Sequence, residues 1–159
     1  MKTVIIVHAL KRITAGCLLA WMGSCVIPIH PLCAAQAGGS ELEKTKSMAE
    51  MQQEIVLLLI KKKDYEKALV EANKIYEMKW PDSQEPLLLK SLLYLSDQFL
   101  QRDQASLGLR LIERNAGFFK SNASRIAILK EKGYLYKSLG RDDEAIECFR
   151  QAQALESKR

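Results

Sequence analysis

Small residues at fixed offsets within residues 126–157 constrain the fold of this 159-residue chain more than any other feature. Gly133 and Ala145 lie twelve residues apart, and neither has a side chain that would hold two packed helices apart. Gly140 lies between them, where a turn with a positive φ is cheap for glycine. The segment therefore predicts two helices that pack closely on either side of a tight turn.

Larger residues of the same segment fit this interpretation. Tyr136 and Phe149 would fill the space between the helices, and Ala152 adds another small residue. Together with the three small residues above, they resemble a tetratricopeptide repeat, in which the six fall at positions 8, 11, 15, 20, 24 and 27. The usual Trp of the repeat is Leu129 here, and the usual terminal Pro is Ser157. The resemblance implies a stack of helical hairpins that serves as a scaffold for partners.

Apolar residues recur at helical spacing from Met48 onward, which predicts two earlier hairpins. Under this interpretation Ala68 and Ala105 take the repeat position of Ala145, with separations of 37 and 40 residues. The standard repeat has about 34 residues, and longer turns would explain the excess. An unrelated six-helix bundle is the alternative.

The predicted fold class is therefore all-α, a right-handed superhelical stack of about three tetratricopeptide-like hairpins after a signal peptide. The hairpins are expected at about 49–80, 86–119 and 126–157 within a repeat domain of residues 48–159. Residues 38–47 lack apolar periodicity and are expected to form a polar tether.

The N-terminal segment is typical of a secretory signal peptide. Lys2, Lys11 and Arg12 precede an apolar run over residues 13–29, and the first acidic residue is Glu41. The 17-residue run reaches only the lower edge of the roughly 17–25 residues that span a bilayer. We therefore expect an exported protein, periplasmic or extracellular.

The processing of this segment has three alternatives. Ala35 and Ala37 favour cleavage after Ala37, which leaves Gly38 as the first residue of the mature protein. The residues before Cys25 resemble a bacterial lipobox, so lipidation at Cys25 is the second alternative. An uncleaved membrane anchor is the third.

Composition argues against several classes of function. The chain has 24 basic and 19 acidic residues, and removal of residues 1–37 takes away three basic residues, which leaves a net charge of +2. Lysines and glutamates alternate along the helices rather than forming a basic stripe, so we expect no nucleic-acid partner.

Both histidines, His8 and His30, lie in the segment to be removed, as do three of the four cysteines. The remainder lacks a histidine general base and any motif of catalysis, phosphate binding or metal binding. We therefore predict a non-enzymatic protein without cofactor or metal. The remaining cysteine, Cys148, is a buried small residue or else a thiol that pairs with another molecule.

The family resemblance implies that the first helix of each hairpin lines a concave groove. Lys90 with Tyr94 and Lys130 with Tyr134 would form a recurring pair in which charge and aromatic area share one helix face. Ordinary solvated lysines and tyrosines that cover the helix surface would explain the same pattern. The predicted groove residues are Gln53, Leu57, Lys90, Tyr94, Gln98, Lys130, Tyr134 and Lys137.

The predicted partner is a protein or peptide that this groove holds in a cell-envelope assembly. A structural subunit that self-associates through its terminal hairpins is an alternative, because repeat stacks usually need a polar cap after Phe149, Ala152 and Leu155. An enzyme of unknown type is the third. A membrane would be involved only through an anchored or lipidated N-terminal segment.

Overall fold

The protein forms three successive helical hairpins in the computed structural model, which describes residues 35–158. Short 3₁₀ turns at Asp82–Gln84 and Ala116–Phe118 precede the second and third hairpins. The six α-helices of this range are α1 (Ala35–Lys61), α2 (Tyr65–Glu77), α3 (Glu85–Leu100), α4 (Ala105–Asn115), α5 (Asn122–Ser138) and α6 (Asp142–Glu156). The predicted all-α fold is confirmed.

The hairpins stack so that their helices form two rows. The A helices are α1, α3 and α5, and the B helices are α2, α4 and α6. Within each hairpin the two helices pack together, and each A helix after the first also contacts both helices of the preceding hairpin. Such contacts between sequence neighbours are typical of a repeat stack, and they favour it over an unrelated bundle.

In the third hairpin the close approach at Gly133 is made by Phe149. A Cβ atom added to Gly133 would lie 2.6 Å from two ring atoms of Phe149, so the ring packs directly on the glycine backbone. Gly140 has a φ of +70° in the turn, as predicted from its position. Ala145 and Ala152 are buried in the same hairpin.

The predicted register of the second hairpin is wrong by three residues. The B helices begin alike: the amides of Ala68, Gly108 and Ala145 donate to the carbonyls four residues earlier, at the helix N-caps. A residue with positive φ precedes each N-cap, at Lys63, Asp103 and Gly140. Gly108, and not Ala105, is therefore the counterpart of Ala68 and Ala145. We use counterpart below for residues at equal distances from these three.

Packing agrees with the corrected register. Ser96 and Phe99 are the counterparts of Gly133 and Tyr136, and both are fully buried. A Cβ on Gly108 would lie 3.2 Å from the carbonyl oxygen of Ser96, so the second hairpin is also tightest where two small residues meet. The register was wrong because a shift of three residues is close to one helical turn and leaves the apolar face almost unchanged.

The first helix is longer than predicted. The expected tether, residues 38–47, lies within α1 and is helical. Glutamate, lysine and leucine are strong helix formers, and Lys46 forms an ion pair with Glu43 one turn away. Lack of an apolar stripe therefore did not prevent helix formation here, because propensity and local pairs favour it.

The predicted signal peptide lies mostly outside the described residues, which begin at Ala35. Within residues 35–158, no helix combines the length and apolar character needed to cross a membrane.

Polar contacts also join successive hairpins. Asn115 donates from Nδ2 to Oδ1 of Asn73 at 2.8 Å, which links α4 to α2 through a buried amide pair. Glu85, at the start of α3, accepts hydrogen bonds from the hydroxyls of Ser121 and Ser124, both at 2.6 Å. It also accepts from the amides of Lys120 and Ser121, so one carboxylate holds the N-terminus of α5.

Substitution of Gly133 tests the close approach. Gly133→Ala should lower the free energy of unfolding by about 1–3 kcal/mol, because the Phe149 ring must shift to admit the methyl group. Gly117→Ala is the matched control, since its new Cβ would meet nothing within 4 Å. Urea denaturation measures both, and equal stability of the two variants would contradict the close packing at Gly133.

Glu85 predicts a loss of stability in acid. Hydrogen bonds from the Ser121 and Ser124 hydroxyls lower the pKa of Glu85 to about 2, below the roughly 4.3 of an unfolded chain. Its contribution is therefore complete above the unfolded pKa and is lost as the pH falls towards 2. Glu85→Gln should cost about 1 kcal/mol at pH 7, allowing for solvent screening, and progressively less as the pH falls through about 2. Melting curves of the parent and the variant between pH 2 and pH 7 measure this difference in stability. A difference that does not change with pH would contradict the lowered pKa of Glu85.

Candidate functional site

The exposed face of α5 carries three of the predicted site residues. Lys130, Tyr134 and Lys137 recur at intervals of four and three residues and are all exposed. The Tyr134 ring is 55% exposed and packs edge-on against Phe149, with 5.3 Å between the ring centroids. This contact holds the tyrosine against α6 while more than half of the residue stays exposed.

Lys130 has a partner within its own hairpin. Its Nζ lies 2.7 Å from Oε1 of Glu156, and both side chains are about half exposed. An exposed pair of this kind contributes little to stability and exchanges readily with a competing carboxylate. Lys130 therefore stays available as a cation.

The second hairpin does not repeat the Lys–Tyr pair. In the corrected register, Lys90 is the counterpart of Ala127, and Tyr94 is the counterpart of Glu131. The positions of Lys130 and Tyr134 are taken in α3 by Leu93 and Asp97, both half-buried. Lys90 and Tyr94 are nevertheless exposed on the same row of helices, and Tyr94 is 42% accessible. Gln98 lies one turn beyond Tyr94 and is half-buried.

The first hairpin offers less surface to a partner. Oε1 of Gln53 accepts a hydrogen bond of 2.8 Å from the Ser91 hydroxyl, which joins α1 to α3. Leu57 is half-buried and packs against the core. Gln53 and Leu57 therefore contribute to helix packing and also border the surface of the A helices.

A half-buried carboxylate that the sequence pattern did not indicate lies on this surface. Oε1 of Glu131 accepts a hydrogen bond of 2.9 Å from the buried Ser96 hydroxyl, which links α5 to α3. Burial raises the pKa of Glu131, and the nearby charge of Asp97 raises it further, although the Ser96 hydrogen bond opposes both. The surface of the A helices thus combines lysines with two acidic residues at the junction of the second and third hairpins.

Glu131 should respond to pH in the opposite sense to Glu85. A raised pKa means that folding disfavours the ionised form, so Glu131 lowers stability at neutral pH, and this penalty disappears as the pH falls below the unfolded value. Glu131→Gln should therefore be as stable as the parent or more so at pH 7, by less than about 1 kcal/mol, with no gain below pH 4.

The exposed Glu54→Gln is the control for this change, and thermal melts at both pH values measure it. A destabilised Glu131→Gln protein at pH 7 would contradict the assignment.

Two larger depressions lie away from the predicted residues. One, of about 450 Å³, is lined by residues of the connections between hairpins, including Trp80 and Phe118, and by Arg114 of α4. The other, of about 440 Å³, lies between α5, α6 and the connection that precedes α5, and includes Arg125, Lys132 and Leu155. Aromatic residues in the connections were the only sequence signal for the first, and the second depends on helix packing that sequence alone does not specify.

The described residues offer little for catalysis. Within residues 35–158, no three histidine, cysteine, aspartate or glutamate side chains group closely enough to hold a metal ion. Cys148 is a buried free thiol, and burial raises its pKa, which disfavours the reactive thiolate. Exposed cations and aromatic rings, in contrast, suit recognition of another protein.

Comparison with known proteins agrees with the packing of the third hairpin. Residues 131–159, from the middle of α5 through α6, match the tetratricopeptide repeat family model. This part of the last hairpin is similar to a tetratricopeptide repeat. No curated protein and no solved structure matches the chain significantly.

This repeat assigns a general role to the protein. Tetratricopeptide repeats generally form non-enzymatic scaffolds that bind protein partners, and the chain is a protein-interaction module in that sense. The two preceding hairpins extend the same stack of A and B helices.

Proposed function

We propose that this protein is exported and uses the surface of its A helices as a concave groove for one segment of a partner in the cell envelope. The groove is formed by Gln53 and Leu57 of α1, Lys90, Tyr94 and Gln98 of α3, and Lys130, Tyr134 and Lys137 of α5.

The face of α5 is the observation that carries this proposal. Tyr134 offers apolar area with a polar tip at low entropic cost, because Phe149 already orients its ring. Lys130 and Lys137 place positive charge on either side of that ring along the helix. An aromatic anchor between cations suits a segment that carries apolar and acidic residues.

The acidic residues of the surface define where such a segment lies. Asp97 and the half-buried Glu131 would repel carboxylates of a partner near the junction between α3 and α5. Acidic groups of the partner therefore pair with Lys130 and Lys137, and its uncharged residues cross the junction. Tyr94 extends the surface towards the first hairpin.

Export is supported by the arrangement of charge before the apolar run of residues 13–29. Cleavage after Ala37 would remove the first three residues of α1 and leave the hairpins intact. Intact-mass measurement of the exported fraction should give a chain that begins at Gly38. A chain that retains Met1, or one lipidated at Cys25, would overturn cleavage at Ala37.

The binding test starts with co-purification of the native protein and identification of its partner by mass spectrometry. Tyr134→Ala should then weaken the measured affinity by about 2 kcal/mol, the scale of an aromatic anchor. Tyr94→Ala should weaken it less, and Lys130→Glu should act mainly on the association rate and its salt dependence.

Phe118→Ala is the matched control, because this exposed ring lies in the connection between α4 and α5, outside the A helices. Melting temperatures of all variants verify that they fold. If the A-helix variants bind normally and Phe118→Ala does not, the partner occupies the depression beside Trp80 and the groove proposal fails.

A further inference from the structure

Helix α1 has an exposed apolar stripe. Its members recur at intervals of three, four and three residues, so they form one line along the helix. Their exposed fractions are 53% for Met48, 58% for Met51, 44% for Ile55 and 56% for Leu58. Four large apolar side chains in one line on a single helix form a surface that soluble proteins usually cover.

Each of these residues has one buried apolar counterpart where another hairpin precedes it, and one polar counterpart that is not buried. The polar counterparts are Arg125, Ser91, Lys132 and Gln98. Leu88 of α3 corresponds to Met48 and is 4% exposed, whereas Ile128 of α5 corresponds to Met51 and is 5% exposed. Leu95 of α3 and Leu135 of α5 correspond to Ile55 and Leu58, and both are fully buried. The stripe therefore occupies the positions of an internal junction of the stack, with four apolar residues where α3 and α5 have two each.

Contacts of α5 identify what covers these positions. A Cβ on Gly108 of α4 would lie 3.1 Å from Cδ2 of Leu135. Lys132, the counterpart of Ile55, pairs with Glu113 of α4 at 3.3 Å. These positions of an A helix thus face the B helix of the preceding hairpin, so the stripe on α1 has the pattern of a surface that receives a B helix.

The exposed face of α6 supplies the other half of such a junction. Ile146 is 46% exposed, but its counterparts Leu69 and Leu109 are 5% and 6% exposed inside the stack. Ile146 borders a shallow depression of about 390 Å³ together with Phe149 and Gln153. This face therefore offers apolar contacts that the first two hairpins bury.

The charges beside the two faces are opposite. Glu50 and Glu54 are exposed and flank the stripe on α1. Lys130 and Arg150 border the depression on α6 together with Glu156, which pairs with Lys130, so the depression keeps a net positive charge. Gln53, the counterpart of Lys130, contacts α3 through Ser91, so this position faces the next A helix in the stack. A following α1 would therefore bring its glutamates towards Lys130 and Arg150.

We infer that the protein associates head to tail with a second copy of itself, the α1 stripe of one copy packing on the α6 face of the next. The junction repeats those inside the chain: an A helix packs on the last hairpin of its neighbour. Because the two faces differ, the association is heterologous and adds copies in one direction.

A two-fold pairing of two α1 helices fits the charges less well. An antiparallel pair that places Met48 opposite Leu58 and Met51 opposite Ile55 has its two-fold axis near residue 53. The two Glu54 carboxylates would then lie side by side and repel each other. The head-to-tail arrangement instead pairs Glu54 with basic residues.

Sedimentation velocity of the full chain over a range of concentrations tests this inference. The parent protein should form a concentration-dependent series of oligomers, and Ile55→Glu and Ile146→Glu should each abolish it. An equimolar mixture of these two variants should form a dimer and nothing larger, since each retains one intact face. Phe118→Glu, an exposed apolar residue in the connection between α4 and α5, should associate like the parent.

A charge exchange provides an independent measurement. Lys130→Glu with Arg150→Glu should weaken association at least about tenfold, and a partner carrying Glu50→Lys and Glu54→Lys should restore it. Circular dichroism verifies that each variant folds.

A strictly monomeric parent at high concentration would overturn the inference. Dimers of Ile146→Glu alone would also overturn it, because they would indicate the two-fold pairing of α1. Neither result bears on partner binding by the groove, which is measured with the partner present.

Discussion

Close approach of two helices at small residues is the constraint on which the rest of this structure depends. Phe149 packs on the bare backbone of Gly133, and in the second hairpin Gly108 meets the backbone of Ser96. These contacts set the distance between the A and B helices, and so decide which side chains point inward. Tyr134 follows Gly133 in sequence. The Phe149 ring that packs on the glycine therefore also makes the edge-on contact with Tyr134.

The same contacts explain how much of the fold could be predicted from sequence. Gly133, Gly140 and Ala145 specify the third hairpin because glycine at a close approach and at a positive φ is hard to replace. The second hairpin has Ala105 and Gly108 three residues apart, and periodicity cannot distinguish a shift of nearly one helical turn. The N-cap hydrogen bonds and the residues with positive φ that precede each N-cap identify Gly108 as the counterpart.

That shift matters most for the candidate site. It separates Lys90 and Tyr94 from the positions of Lys130 and Tyr134, so the apparent repetition of a binding pair was a consequence of the register. Burial of Glu131 against Ser96 could not be predicted either, since it depends on how α5 packs against α3. Tyr134, in contrast, stays more than half exposed, although Phe149 of α6 packs against it.

Stacking also gives the outer faces of the first and third hairpins residues that correspond to those of the internal junctions. Every A helix carries residues for the hairpin before it, and every B helix carries residues for the hairpin after it. At α1 and α6 these residues are exposed, as Ile55 and Ile146 are, although their counterparts Leu95 and Leu109 are buried. A repeat chain escapes this consequence only when its terminal hairpins replace apolar residues with polar ones. Met51, Ile55 and Leu58 have not been replaced in this way, so the first helix is more apolar at these positions than α3 and α5, where Ser91, Gln98 and Lys132 take three of the six counterpart positions.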